Sequence, residues 1–288
     1  MPKPAATPRD NLLRSLRRQG FDRVPLDSGA FCTSQLEAFR KRFGHDDYRS
    51  FFNCPFRFVN VPAEATFTDG RALYPREELP ADIDFDQYGV GHSRQEGCFH
   101  MTRMHHPLKG EDVTLDEIRN YPFPVLQPDA EATMRAQVDA LHEQGLAAMA
   151  GLGCTTWESS WYMRSMEDLM TDMMTDDERA TLLFDRMNDN CRQRVVTAAK
   201  AGCDLIQLGD DIGMQSSPMM AVPLWEKWLK PRLKQVTDAA REIKPDILIF
   251  YHSCGFIIPF IDGLIEAGVD ILNPVQPECM SFAEVHRR

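Results

Sequence analysis

The residues best suited to chemistry fall in four short stretches, each at the end of an apolar run. They are Cys154 to Glu158 in GLGCTTWE, Asp210 and Asp211 in LIQLGDD, His252 and Cys254 in IFYHSCG, and Asn273, Gln276, Glu278 and Cys279 in ILNPVQPEC. The sharpest signal is His252-x-Cys254. Residues two apart on an extended backbone point the same way, so an imidazole and a thiolate face one point, which suits zinc. Cys279 can complete three protein ligands, with Glu158 or Asp211 as candidate fourth, and a catalytic zinc leaves one position open for substrate. Packed, metal-free residues at a strand end meet the same spacing, and on spacing alone both readings stand. Asp210-Asp211 also reads two ways. The pair can hold a proton, an amine or a metal, or one of them can cap a helix by accepting from free N–H groups. Asp210, Asp211 and Glu158 are the candidate catalytic groups. Tyr251, Asn273 and Gln276 are the candidate substrate contacts.

Other reactive residue types carry blander readings. Cys154 and Cys203 are expected as core thiols. His105-His106, beside Pro107, reads as a solvated or packing pair, with no third ligand close in sequence. Met163, Met166, Met170, Met173 and Met174 recur at helical spacing and read as core.

Strand ends matter only if the strands are parallel and neighbouring, and the pattern along the chain predicts this. Helices are expected over Pro8–Gly20, Gln35–Phe43, Asp116–Tyr121, Ala130–Gln144, Met166–Met174, Asp177–Ala201, Pro223–Ile243 and Ile257–Gly268. Strands are expected over Val24–Asp27, Phe56–Val61, Leu146–Leu152, Asp204–Leu208, Ile247–His252 and Val269–Val275, with smaller strand-like pieces at Tyr88–Val90 and Cys98–Met101. Strands alternating with helices imply parallel pairing through right-handed crossovers. LAAMAGL, DLIQL, ILIFY and VDILNPV are apolar almost throughout, as a sheet buried on both faces requires. The choice is then a closed barrel or an open doubly wound sheet. No Gly-rich phosphate loop follows a strand, which weakens the dinucleotide-binding version. In a (β/α)8 barrel the four stretches would meet at the catalytic face, because neighbouring strand ends lie about 5 Å apart. The whole chain, 1–288, reads as one such domain, with a small mixed insertion at about 62–110.

The composition narrows the partners. The chain has 288 residues with 43 acidic and 32 basic ones, a net charge of −11. That balance disfavours nucleic acid or an anionic membrane as the main partner and leaves a small-molecule substrate. Arg14, Arg17, Arg18 and Arg23 read as the polar face of the first helix. No run approaches the ~18 apolar residues that span a bilayer. MPKPAATPRD has no apolar signal-peptide core, so a cytoplasmic protein is expected. The eight cysteines form no CxxC pair and are expected as thiols or ligands.

AGCDLIQLGDDIGMQSSPMM, LWEKWLKPRLKQV and FYHSCGFIIPFIDGLIEAGVDILNPVQPE together resemble the uroporphyrinogen decarboxylase superfamily. Upstream, RDNLLRSLRRQGFDRVPLD is similar to that family's opening helix and first strand, and HPLKGEDVTLDEIRNYPFP to a connector. The resemblance implies a (β/α)8 TIM-type barrel. It also implies one of two chemistries: porphyrinogen decarboxylation, or methyl transfer between corrinoid proteins and thiols or folate. The methyltransferases of the superfamily use a zinc held by an H-x-C motif and a later Cys, and His252 and Cys254 match the H-x-C. The implied cofactors are zinc and a corrinoid carried by a partner protein.

Two departures qualify this. The decarboxylase's Arg-rich motif after its first strand is replaced here by LDSGAF, which disfavours a substrate with many carboxylates. Six strands are expected where the barrel has eight, so the chain either is truncated or closes its edges by oligomerising. The later zinc Cys belongs to the missing part, and Cys279 is the expected substitute. A metal-free lyase and a non-catalytic binding relative are the alternatives.

Overall fold

The computed structural model describes residues 6–94 and 102–288. Its strands, in chain order, are β1 (Phe56–Asn60), β2 (Ala63–Glu64), β3 (Asp84–Phe85), β4 (Gly91–Ser93), β5 (Arg103–His105), β6 (Val125–Leu126), β7 (Ala147–Cys154), β8 (Leu205–Gly209), β9 (Leu248–His252) and β10 (Ile271–Asn273). Five of them form the central sheet in the order β1-β7-β8-β9-β10. Every pairing in it is parallel. Helices run between successive strands from β7 to β10. This is an α/β fold of the (β/α)8-barrel type, with the arc open between β1 and β10 among the described residues.

Side-chain alternation gives the sheet two faces. Val59, Ala148, Ala150, Ile206, Leu208, Ile249 and Tyr251 belong to the main core, packed with the helices. Phe56, Ala147, Met149, Leu205 and Leu248 belong to a second cluster on the other face, where Leu12, Leu13 and Leu16 of the first helix cover them. That helix, Pro8–Leu16, starts at a capping box: the Thr7 side chain accepts from the Asp10 N–H, and the Asp10 carboxylate accepts from the Thr7 N–H. It is tied to the sheet through Arg9, whose guanidinium bonds the Asp204 carboxylate at 2.7 Å.

The strand expected at Val24–Asp27 does not form. Val24 and Leu26 are 58% and 56% exposed. Pro25 has no N–H to give a ladder. The Asn11 side chain instead takes the preceding backbone, accepting from Asp22 N at 2.7 Å and donating to Arg23 O at 2.6 Å. The sheet therefore has five strands where six were expected. The helix expected over Pro223–Ile243 is two, Val222–Trp228 and Lys230–Ile243, with Pro231 in the first turn of the second. A proline there starts a helix well and cannot continue one.

Between β2 and β5 the chain leaves the barrel and forms the antiparallel sheet β3-β4-β5. The piece expected at Tyr88–Val90 is a turn leading into β4, held by the Asp86 carboxylate, which accepts from Tyr88 N and Val90 N. The piece expected at Cys98–Met101 lies outside the described residues. No helix is long and apolar enough to cross a membrane among the described residues.

Candidate functional site

The loops after β7, β8 and β9 meet at the C-terminal end of the sheet. A register irregularity between Gly151 and Cys154 ends β7. Thr155 N then donates to Gly209 O at 2.8 Å, and the helix Thr156–Arg164 begins. Asp210 caps it. Its carboxylate accepts from Glu158 N at 2.8 Å, Thr155 N at 3.2 Å and the Thr155 hydroxyl at 2.7 Å. Burial, followed by the charge of Glu158, pushes the Asp210 carboxyl up to about 7, against the pull of these donors. Asp210 is 6% exposed, so the structural reading of this residue holds: it positions the helix that carries Glu158.

Asp211 points the other way, as the next residue on extended backbone does. One of its oxygens accepts from Cys254 N at 2.8 Å, and its own N–H donates to Glu158 Oε2 at 2.9 Å. This crossing needs two glycines. A Cβ on Gly213 would lie 2.7 Å from Phe256 N. Gly255 has φ +85°, and a Cβ there would lie 2.6 Å from the Gly213 carbonyl carbon. The two loops touch backbone to backbone, and Phe256 N donates to Met214 O at 2.7 Å.

His252 ends β9 with its ring over this crossing. Nδ1 pairs with Asn273 Oδ1 at 2.9 Å; an amide oxygen only accepts, so Nδ1 carries the proton and Nε2 presents its lone pair. Nε2 lies 3.5 Å from the Cys254 sulfur and 3.9 Å from Asp211 Oδ1. Asp211, His252 and Cys254 place one ligand atom each within 4.8 Å of one another. Zn–S and Zn–N bonds of the usual length at a tetrahedral angle separate sulfur from nitrogen by about 3.6 Å, so the imidazole and thiol fit a zinc as they stand. Burial, then the charges of Asp211 and Glu158, raises the Cys254 thiol pKa.

The other candidates take different places. Cys279 is not among the three residues whose candidate ligand atoms cluster; Asp211, one strand back, takes the third place there. Cys279 is half-buried against the main core. Asn273 orients His252. Gln276 braces the loop, its side-chain oxygen accepting from Gly255 N at 3.0 Å. Tyr251 is 2% exposed, and its hydroxyl donates to Asp210 O at 3.2 Å, so it supports the site from behind and cannot reach a substrate. Glu158 stands at the rim, accepting from the Tyr162 hydroxyl at 2.8 Å.

Tyr162 was missed from sequence, although it lies one helical turn after Glu158. Cys154 is not a deep core thiol. It is half-buried, 3.5 Å from the Tyr162 oxygen, whereas Cys203 is fully buried. The two adjacent histidines pack: His105 bonds Glu77 at 2.7 Å and Ser93 at 3.0 Å, and His106 bonds Tyr162 O at 2.8 Å. Met163 and Met173 are buried and Met166 and Met170 pack on the core, while Met174 is exposed.

A barrel-type sheet with a histidine, cysteine and aspartate together at its C-terminal end offers a candidate metal site. The family profile described as uroporphyrinogen decarboxylase (URO-D) matches residues 103–276, more than half of the chain. The chain belongs to that family. A solved structure, a methyltransferase from Methanosarcina mazei, superposes with a TM-score of 0.57 over 93% of this chain and 76% of that one, at 14% identity. At that identity the likeness establishes the fold. Curated protein sequences give no significant match.

Proposed function

We propose that this protein is a zinc-dependent methyltransferase that moves a methyl group between a corrinoid, carried by a partner protein, and a thiol or folate acceptor. The observation that carries the reading is the convergence of His252 Nε2, the Cys254 sulfur and the Asp211 carboxylate, with the imidazole tautomer already set by Asn273. The resemblance of His252-x-Cys254 to the superfamily's zinc motif supports it, as does a fold shared with a methyltransferase.

His252, Cys254 and Asp211 would hold the metal. Zinc, when bound, supplies a Lewis acid that lowers the pKa of an acceptor thiol so that the thiolate exists near neutral pH. Asn273 fixes the imidazole, as partners of ligating histidines do elsewhere. Glu158, beside Asp211 and hydrogen-bonded to Tyr162, is the carboxylate placed to take the acceptor's proton. Asp210 holds Glu158 in position.

The lyase alternative needs Asp210 or Asp211 to hold pyrrole N–H groups. Asp210 is buried beneath three donors, which leaves Asp211 alone for that role; the family match is common to both readings, and the convergence of His252 and Cys254 on Asp211 favours the metal.

Zinc content of purified protein tests the reading. We expect about one equivalent in wild type and in Cys279→Ser, and a large loss in Cys254→Ser and Asp211→Ala. Equal zinc in wild type and Cys254→Ser would overturn it. Loss of the methyl group from methylcobalamin on adding thiol, followed by absorbance, tests the transfer itself.

A further inference from the structure

The face of the sheet that carries His252 also carries Gln207. Along β8, Leu205 belongs to the second cluster and Ile206 and Leu208 to the main core, so alternation puts Gln207 on the face of Leu205. Along β9, Leu248 and Phe250 lie on that same face, and His252 comes next above them. The register fixes the heights: Gln207 pairs with Phe250, and Gly209 with His252. Gln207 therefore stands one layer, about 7 Å, below the imidazole, on the adjacent strand and inside the open arc.

Little side-chain bulk separates the two. Gly209 follows above Gln207 on β8, and Gly151 is its partner on β7. A Cβ on Gly151 would lie 3.2 Å from Cδ1 of the Phe58 ring and 3.8 Å from Gln207 Oε1, so that ring and that amide take its space. Phe58 is 41% exposed, and Gln207 and Phe250 are half-buried, so an amide between two rings forms a floor that solvent reaches beneath His252. The hydrogen bonds that join the loops above this floor run through Asp210, Asp211, Asn273 and Gln276, and among the described residues the Gln207 amide joins none of them.

Resting on the zinc reading, we propose that Gln207 selects the acceptor: its amide hydrogen-bonds an oxygen-bearing group, two to three carbons from the sulfur, of a thiol held at the His252–Cys254 centre. A ligand that covers this floor takes water from the amide, and that costs free energy unless the ligand bonds the amide in its turn. Of the roughly 7 Å between layers a hydrogen bond takes about 3 Å, and two to three carbons span the rest. A site of this kind discriminates against an analogue that lacks the bonding group.

The test compares 3-mercaptopropanamide with 3-methylbutane-1-thiol, which has the same shape with two methyl groups in place of the amide oxygen and nitrogen. Calorimetric titration of full-length protein supplied with zinc gives both affinities for wild type, Gln207→Leu and Gln207→Asn. We expect wild type to bind the amide at least roughly tenfold more tightly, against the hydrophobic preference for the alkyl thiol. Gln207→Leu, beside Phe58, Phe250 and Leu205, should reverse the order with Tm and zinc content unchanged. Gln207→Asn, one methylene shorter, should keep a reduced preference. Equal binding of the two thiols by wild type, binding of neither, or a preference that survives in Gln207→Leu overturns the proposal.

Zinc content of the same samples separates this from the reading beneath it. Zinc bound without a preference for the amide overturns the role of Gln207 and leaves the metal standing. A preference lost in Gln207→Leu, in samples that hold no zinc, overturns the metal and leaves Gln207 as the ligand's contact.

Discussion

Gly255→Ala asks whether backbone contact between two loops sets the centre. The new Cβ would meet the Gly213 carbonyl carbon at 2.6 Å and the Met214 oxygen at 2.7 Å, neither of which can swing aside. Two costs add. Alanine at φ +85° costs about 1–2 kcal/mol. Pushing packed backbone apart costs roughly 1–3 kcal/mol more. At about 2–4 °C per kcal/mol, a fall in Tm of roughly 4–20 °C follows. Gly20→Ala separates the two costs, because Gly20 has φ +86° and a methyl group there would meet no described atom within 4 Å. It should lose only the first. The displaced loop also carries Asp211 away from Cys254, so zinc affinity, measured against a chromophoric chelator, should fall about 10–100-fold as for a disturbed ligand support. Calorimetry showing Gly255→Ala no less stable than Gly20→Ala, with unchanged zinc affinity, would refute this reasoning.

Asn273→Ala should weaken zinc binding about 10–100-fold with little change in Tm, because it frees the imidazole to take either tautomer; equal affinity removes Asn273 from the site. Asp210→Asn should fold and keep zinc. An amide can accept from Glu158 N and donate to the Thr155 oxygen, whose own hydrogen then turns to Gly209 O, 3.0 Å away. Asp211→Asn should lose zinc, so matching zinc contents for the two variants would show that the adjacent acids do not differ as described. At the other end of the sheet, burial opposes ionisation of Asp204, but bonds from Arg9, Ala148 N and His142 outweigh it and hold the carboxyl below its usual range. A depressed folded pKa contributes stability above the unfolded value of about 3.9 and loses it as pH falls through the folded one. Asp204→Asn should therefore cost about 3 kcal/mol near neutral pH, with the gap to wild type closing below about pH 4 in urea titrations; a gap independent of pH would contradict this.

The elements that the sequence announced most clearly are those buried on both faces. LAAMAGL, DLIQL and ILIFY became β7, β8 and β9 within a residue or two at most ends, because only a two-sided apolar environment tolerates such runs. VPLD carries a similar apolar content, yet Asn11 captures its neighbour's backbone from across a turn, a contact that no local pattern announces. Spacing also brought His252 and Cys254 together, since period-two geometry is local. The approach of Asp211 to them was not local. It depends on Gly213 and Gly255 letting two loops cross, and on which of two neighbouring acids the cap consumes. The helix Thr156–Arg164 went unread, although Thr155-x-x-Glu158 has the spacing of a capping box, because the flanking TTWESSW has no clear apolar face.

The candidate ligands stand on the inner strands of the arc and the loops that follow them. Glu158 follows β7, Asp211 follows β8, and His252 and Cys254 belong to β9 and its loop, all inside the sheet. Their mutual contacts run through the loops and their backbone: Asp211 N to Glu158, Cys254 N to Asp211, and Asp210 N to His252 O at 3.1 Å. Edge strand β10 contributes one residue, Asn273, and holds it by pairing with His252 and by the bond from Ser253 N to Asn273 O at 2.8 Å. Fraying at β10 would reach the centre through Asn273, which orients the imidazole, and through Gln276, which holds Gly255 N, so it should loosen metal binding before it disperses the ligands.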